Sequence, residues 1–264
     1  MAEAGRYAGT MNDASPTPYT TSKDAAAAGE QNGQTKSQTG ANTPQSPANG
    51  APPPIPANKT DLFKGREKEW NDFYSATGKT GSGPLERDAY MAVFGQEGGM
   101  QKDQEGSAAS GITQGTLDDL IKRGKLSGIQ AGTPPSSLTV DQRAQFYKAY
   151  FDEKLHSVGG SKALNGLPDR HSAQTLADTV YRQGHRGAAE SIQKAANRVK
   201  PGAISLDMRF GPQTFEAYKA LASDPKTRDR FYQALAEERW NYVQNLPGHG
   251  PGDKLRADYF RNWR

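Results

Sequence analysis

Residues 85–99 read LERDAYMAVFGQEGG. Tyr90, Val93, Phe94 and Glu97 recur at helical spacing, which predicts a helix with these four side chains on one face. Gly98-Gly99 ends it. Upstream, GKTGSGP (78–84) separates this helix from an earlier one over DLFKGREKEWNDFYSAT (61–77), whose face is Leu62, Arg66, Trp70, Phe73 and Tyr74. Downstream, Thr139 and Gln142 form a capping-box pattern ahead of a stripe of Val140, Ala144, Tyr147, Phe151 and Leu155. A helix after Pro168 carries Ala173, Leu176, Ala177, Val180 and Tyr181 inward and stops at Gly184; another spans about 187–199. Gly211-Pro212 opens the next, since proline suits a first helical position. A long helix covers about Pro225–Asn245, and Leu255, Tyr259 and Trp263 follow at four-residue spacing. The expected fold is mainly α-helical, with a small β-hairpin around residues 100–113.

Composition divides the 264 residues in two. Residues 1–60 hold only Met1, Met11 and Ile55 from the Val/Leu/Ile/Phe/Met/Trp set, and 8 of the 17 prolines. Such a segment buries too little apolar surface to offset the entropy of ordering it. It reads as a flexible arm or anchor, with Pro52–Pro56 as an extended spacer. The folded domain is expected over 61–264, with 61–84 a linking helix and loop. No apolar run is long enough for a membrane span. The net charge of +4 comes without a dense Lys/Arg run, so nucleic acid is not an expected partner. No cysteine is present, which excludes disulfides and thiolate chemistry. MAEAGRYAGT lacks a basic-then-apolar leader, so no signal peptide is expected.

Several motifs fail on spacing. Gly78-Lys79-Thr80 lacks the upstream glycine of a phosphate loop, Phe73 standing in its place. Gly159-Gly160-Ser161-Lys162-Ala163 lacks the last glycine of a nucleophile elbow. His156, His171, His185 and His249 have no metal-ligand spacing, and neither metal nor organic cofactor is expected.

The chemistry concentrates at QEGGMQKDQEG (96–106) and GITQ (111–114). Glu97 falls on the core-facing stripe, where desolvation favours the protonated carboxyl, the form a general acid needs. Asp103 lies in a polar turn and is expected to stay ionised. Two carboxyls in contrasting surroundings suit glycoside hydrolysis, in which one protonates the leaving oxygen and the other activates water or stabilises charge.

Glu97-Gly98-Gly99, Lys102-Asp103 and Gly111-Ile112-Thr113-Gln114 followed by a helix resemble glycoside hydrolase family 108. Leu167-Pro168, Ala173 to Val180, Gly184, Gly187-Ala188-Ala189 and Ile192-Gln193 are similar to its second block. Asp207, Gly211-Pro212 and Thr214 resemble the turn of its peptidoglycan-binding-like part, about 160–264. Glu238-Arg239, Tyr242, Leu246-Pro247, Phe260 and Trp263 resemble its closing pattern. The resemblance covers roughly 85–264, in order. It implies a lysozyme-like N-acetylmuramidase acting on bacterial peptidoglycan, with Glu97 as general acid and Asp103 as the second carboxylate. DQEGSAASGIT is about three residues shorter than the family's usual connection, so Glu105, Ser110 or Thr113 stand as alternatives for positioning water. Tyr181 and Gln183 are expected to line the sugar groove beside Glu105 and Thr113. The expected place of action is the cell wall in the periplasm, reached in a virion, through a holin or by a secretion system, with residues 1–60 as the tether to that assembly. The rival expectation is an inactive lysozyme-like structural or cell-wall-binding component.

Overall fold

The computed structural model describes residues 51–100, 108–246 and 249–261. Residues 1–50, and with them most of the expected arm, lie outside the described residues, as do Asp103, Glu105 and Trp263.

The chain is mainly helical. Helix α1 (Thr60–Phe63) and α2 (Glu67–Lys79) precede α3 (Pro84–Gln96), the helix read from residues 85–99. Strands β1 (Ala108–Ala109) and β2 (Ile112–Thr113) pair antiparallel, Ala108 opposite Thr113 and Ala109 opposite Ile112. Then come α4 (Gln114–Lys122), α5 (Val140–Lys154), α6 (Arg170–Val199), α7 (Pro212–Ser223), α8 (Arg228–Val243) and α9 (Pro251–Arg261). No described helix is long and apolar enough to cross a membrane.

The capping logic holds at α5, where Thr139 accepts from Gln142 N–H and Gln142 bonds back to Thr139 N–H. Pro212 is the first residue of α7. Three other readings change. The single helix expected over 61–77 is two, because Gly65 stands at φ 76°, a left-handed backbone that no helix continues through. The two helices expected on either side of Gly184 are one element with a kink, Gly184 alone leaving helical geometry at φ 68°, ψ −178°. On α9 the expected stripe is misphased: Leu255 is 64% exposed while Arg256, Ala257 and Phe260 are buried. That helix docks through a charged contact made by Arg256, which apolar spacing does not register.

The core is aromatic. Phe73 stacks on Phe94 at 3.9 Å between ring centroids and meets Tyr147 edge-on at 5.5 Å. Tyr90 stacks on Phe151 at 5.5 Å, and Tyr147 on Tyr181 at 5.4 Å. Phe63, Phe73, Tyr90, Phe94, Tyr147 and Phe151 are all fully buried. Helices α2, α3, α5 and α6 therefore meet through one cluster of rings.

The packed body also reaches back past residue 60. Pro53 and Pro56 are buried, and Trp70 Nε1 donates to Pro53 O at 2.8 Å. Pro56 lies against Gly95, where an added Cβ would come within 3.0 Å of its ring. A proline ring loses little entropy on docking, so this stretch packs although Ile55 is its one large aliphatic residue.

Candidate functional site

Glu97 is the C-cap of α3, its N–H bonded to Val93 O at 2.9 Å. The chain turns away through Gly98 (φ 84°) and Gly99 (φ 70°). A Cβ on Gly99 would run into Glu69 Oε1 and the Phe63 ring, so glycine is required for space as well as for φ. Met100 N–H donates to Glu69 Oε1 at 2.5 Å, and Arg66 holds that carboxylate through Nε at 3.1 Å and Nη2 at 2.8 Å. Helix α2 thereby pins the turn that leaves Glu97.

The hairpin forms the facing wall. Its two turn residues, Ser110 (φ 56°) and Gly111 (φ 67°), both have positive φ, as a two-residue type I′ turn requires. Serine is strained there, and the strain is held by a dense set of contacts. Ser110 Oγ donates to Gly99 O at 2.6 Å and accepts from Arg143 Nη1 at 2.5 Å. Its carbonyl accepts from Tyr147 OH at 2.8 Å and Tyr181 OH at 3.1 Å. Fully buried Arg143 also donates to Leu138 O and Pro135 O. Gly111 presents bare backbone to Glu97: an added Cβ would stand 2.5 Å from Oε2.

The third wall is ionic. Arg256, from α9, donates through Nη1 to Glu97 Oε1 at 2.6 Å. Its Nε and Nη2 both grip Asp178 Oδ1, at 2.9 and 2.7 Å. Arg239 of α8 takes Asp178 Oδ2. Asp178 is wholly buried on α6. Burial opposes the Arg256 charge, but Asp178 and then Glu97 outweigh it and raise its pKa. Arg239 is lowered, burial being the larger effect. The expectation of a carboxyl desolvated among apolar neighbours is thus corrected in kind: Glu97 is 19% exposed and ion-paired to a guanidinium. Its charge also acts on three phenols. Burial first and the Glu97 charge second push Tyr147 and Tyr150 up; for Tyr181 the order is burial, Tyr147, then Glu97. All three stay neutral, and those of Tyr147 and Tyr181 donate to Ser110 O.

The other expected site residues are distributed unevenly. Tyr181 reaches the site as a half-buried ring bonded to Ser110 O. Thr113 is at its edge, engaged as the N-cap of α4 by accepting from Thr116 N–H. Gln183 is buried away from it, donating to Arg239 O at 3.0 Å and accepting from Ser191 Oγ at 2.9 Å. The Ser110 hydroxyl, an alternative for positioning water, is taken up by Gly99 and Arg143. Asp103 and Glu105 fall in the connection between Glu97 and the hairpin, outside the described residues. Sequence reasoning missed Asp178, Arg239 and Arg256. Asp178 carried one signal, an acid inside the otherwise inward run from Ala173 to Tyr181.

Two concavities open elsewhere, one of about 390 Å³ edged by Lys79, Lys125, Lys148 and Asp152, the other of about 360 Å³ edged by Glu190, Glu238 and Tyr242. Neither includes Glu97. Among the described residues no group of three or more His, Cys, Asp or Glu side chains could hold a metal ion. No protein-family model matches the chain, and comparison with characterised proteins and with solved structures finds no match either.

Proposed function

We propose that this chain is a peptidoglycan hydrolase of lysozyme-like architecture, an N-acetylmuramidase cleaving the β-1,4 bond between N-acetylmuramic acid and N-acetylglucosamine. The observation that carries the reading is the setting of Glu97: a partly exposed carboxylate at a helix end, laid over the bare backbone of a hairpin and oriented by Arg256. In this reading Glu97 gives its proton to the glycosidic oxygen as the bond to the anomeric carbon breaks. Water adds to that carbon, and its proton passes to a second carboxylate, for which Asp103 is the candidate. Because Asp178 occupies Nε and Nη2 of Arg256, only Nη1 is given to Glu97, on Oε1. Oε2, over Gly111, is then the oxygen that carries the proton. Sugar faces would pack near Tyr181 and hydroxyl edges near Thr113. In this reading the residues that precede the docked prolines are the tether to a virion or secretion assembly that brings the enzyme to the wall.

The test is lysis of purified peptidoglycan by the full chain against Glu97→Gln. The variant keeps the shape and removes the titrating proton, so activity should fall at least about 100-fold with an unchanged circular dichroism spectrum. Asp103→Asn should also slow turnover. A Glu97→Gln protein that lyses normally refutes the reading. One observation favours a second reading, an inactive wall-binding component: the Arg256 guanidinium already occupies one oxygen of the would-be acid. Wall binding without lysis by the unmodified chain would decide for it.

A further inference from the structure

Lys59 lies outside the domain that composition delimits, yet the fold brings it to the candidate site. Trp70 holds Pro53, and Pro56 seats on Gly95. A 3₁₀ turn over Ala57–Lys59 follows, closed by Lys59 N–H on Pro56 O at 2.7 Å. Within it the Asn58 amide clasps the Gln96 amide reciprocally, at 3.3 and 3.2 Å. Gln96 is the residue before Glu97, so the clasp sets Lys59 at the end of α3.

The charges there are unequal. Glu97 and Asp178 are matched by Arg239 and Arg256, each pair in direct contact. Lys59 adds a further positive charge whose field reaches Arg256, Glu97 and Asp178. It is half-buried and, among the described residues, in no salt bridge. Burial first and Arg256 second lower its pKa. With Glu97 ionised this network is neutral and with Glu97 protonated for catalysis it is positive; in either state an ammonium partly stripped of water beside it gains from an arriving anion.

We propose that Lys59 recognises a carboxylate on the glycan substrate and so selects anionic over neutral β-1,4 glycans. This rests on the hydrolase reading for the identity of the polymer. Peptidoglycan offers such a carboxylate in two places, the lactyl ether of muramic acid and the attached peptide.

The full chain, Lys59→Met and Lys59→Arg are compared for binding and turnover on three glycans. Amidase-stripped strands carry free lactyl carboxylates, intact peptidoglycan carries peptide carboxylates, and chitooligosaccharides carry neither. Lys59→Met should weaken binding to the carboxylate-bearing glycans by on the order of tenfold more than to the neutral one. Lys59→Arg should restore most of it, and added salt should narrow the gap. Loss confined to stripped strands assigns the lactyl group; loss confined to intact wall assigns the peptide. Equal losses on all three, or none, overturn the proposal, as does an absence of glycan binding altogether. Lys59-dependent binding without turnover sinks the hydrolase reading and leaves this one standing. Turnover of peptidoglycan indifferent to Lys59→Met does the reverse.

Discussion

His171 should make this protein acid-sensitive by itself. The side chain is 7% exposed and meets the Tyr232 ring edge-on at 4.3 Å between centroids. Burial is the main force lowering its pKa from 6.5 to about 4; Arg228 and Arg239 add to it, while Asp169 and the Phe260 backbone oppose it. The sign follows from which state binds the proton. As pH falls below 6.5 the unfolded chain protonates this imidazole, whereas the folded chain resists until about 4. Stability is therefore whole above the unfolded value, declines through that window, and is fully forfeited below about 4. At about 1.4 kcal/mol per unit the shift corresponds to about 3 kcal/mol, approached with a limiting slope of about 1.4 kcal/mol per pH unit. Urea denaturation followed by circular dichroism, at a series of pH values from about 7 to about 4, would measure it. His171→Phe removes the titration and keeps a ring against Tyr232. Other acid-titrating groups act equally in both proteins, so the difference between the two pH profiles isolates His171. Parallel profiles would refute the reasoning.

Three further outcomes are expected. Removing residues 1–50 should leave the melting temperature within a few degrees of the full chain, whereas removing 1–59 should lower it by several degrees more, because Trp70 then loses Pro53 and Gly95 loses Pro56; calorimetry of the two truncations compares them directly. Phe151→Ala should cost about 3–5 kcal/mol in denaturant titration, since the ring is fully buried and stacked on Tyr90. Asp178→Asn should cost about 3–5 kcal/mol, as it strands the buried Arg239 guanidinium and leaves Arg256 with Glu97 alone; a loss under about 1 kcal/mol would mean that the arginines find other partners.

Local periodicity and punctuation were enough for most of the helices, though not for the break at Gly65, the continuity through Gly184 or the phase of α9. The Thr139 capping box, Pro212 at the start of α7 and the Tyr90–Val93–Phe94 stripe each act within a few residues, so each is legible in a linear string. Glu97 was also visible, as an acid in phase with that stripe and ahead of two glycines. Composition placed the arm boundary at residue 60, but a proline carbonyl bonded to Trp70 and a proline ring seated on Gly95 are not scored by aliphatic content, so Pro53 and Pro56 read as spacer.

What surrounds Glu97 belongs to the tertiary structure. Arg256 reaches it across 159 positions and Lys59 comes to it through a clasp spanning 38, distances at which no repeat or spacing rule operates. Gly111 is one glycine among 29 until the hairpin lays it against a carboxylate. Asp178, Arg239 and Arg256 sit on three different helices and are polar residues like any others in the string. Their meaning is electrostatic and pairwise: each is tolerated in the interior only because the other charges arrive at the same place. The chain's own pattern determined that there would be helices and that one would end on an acid; long-range packing decided which charges that acid would meet.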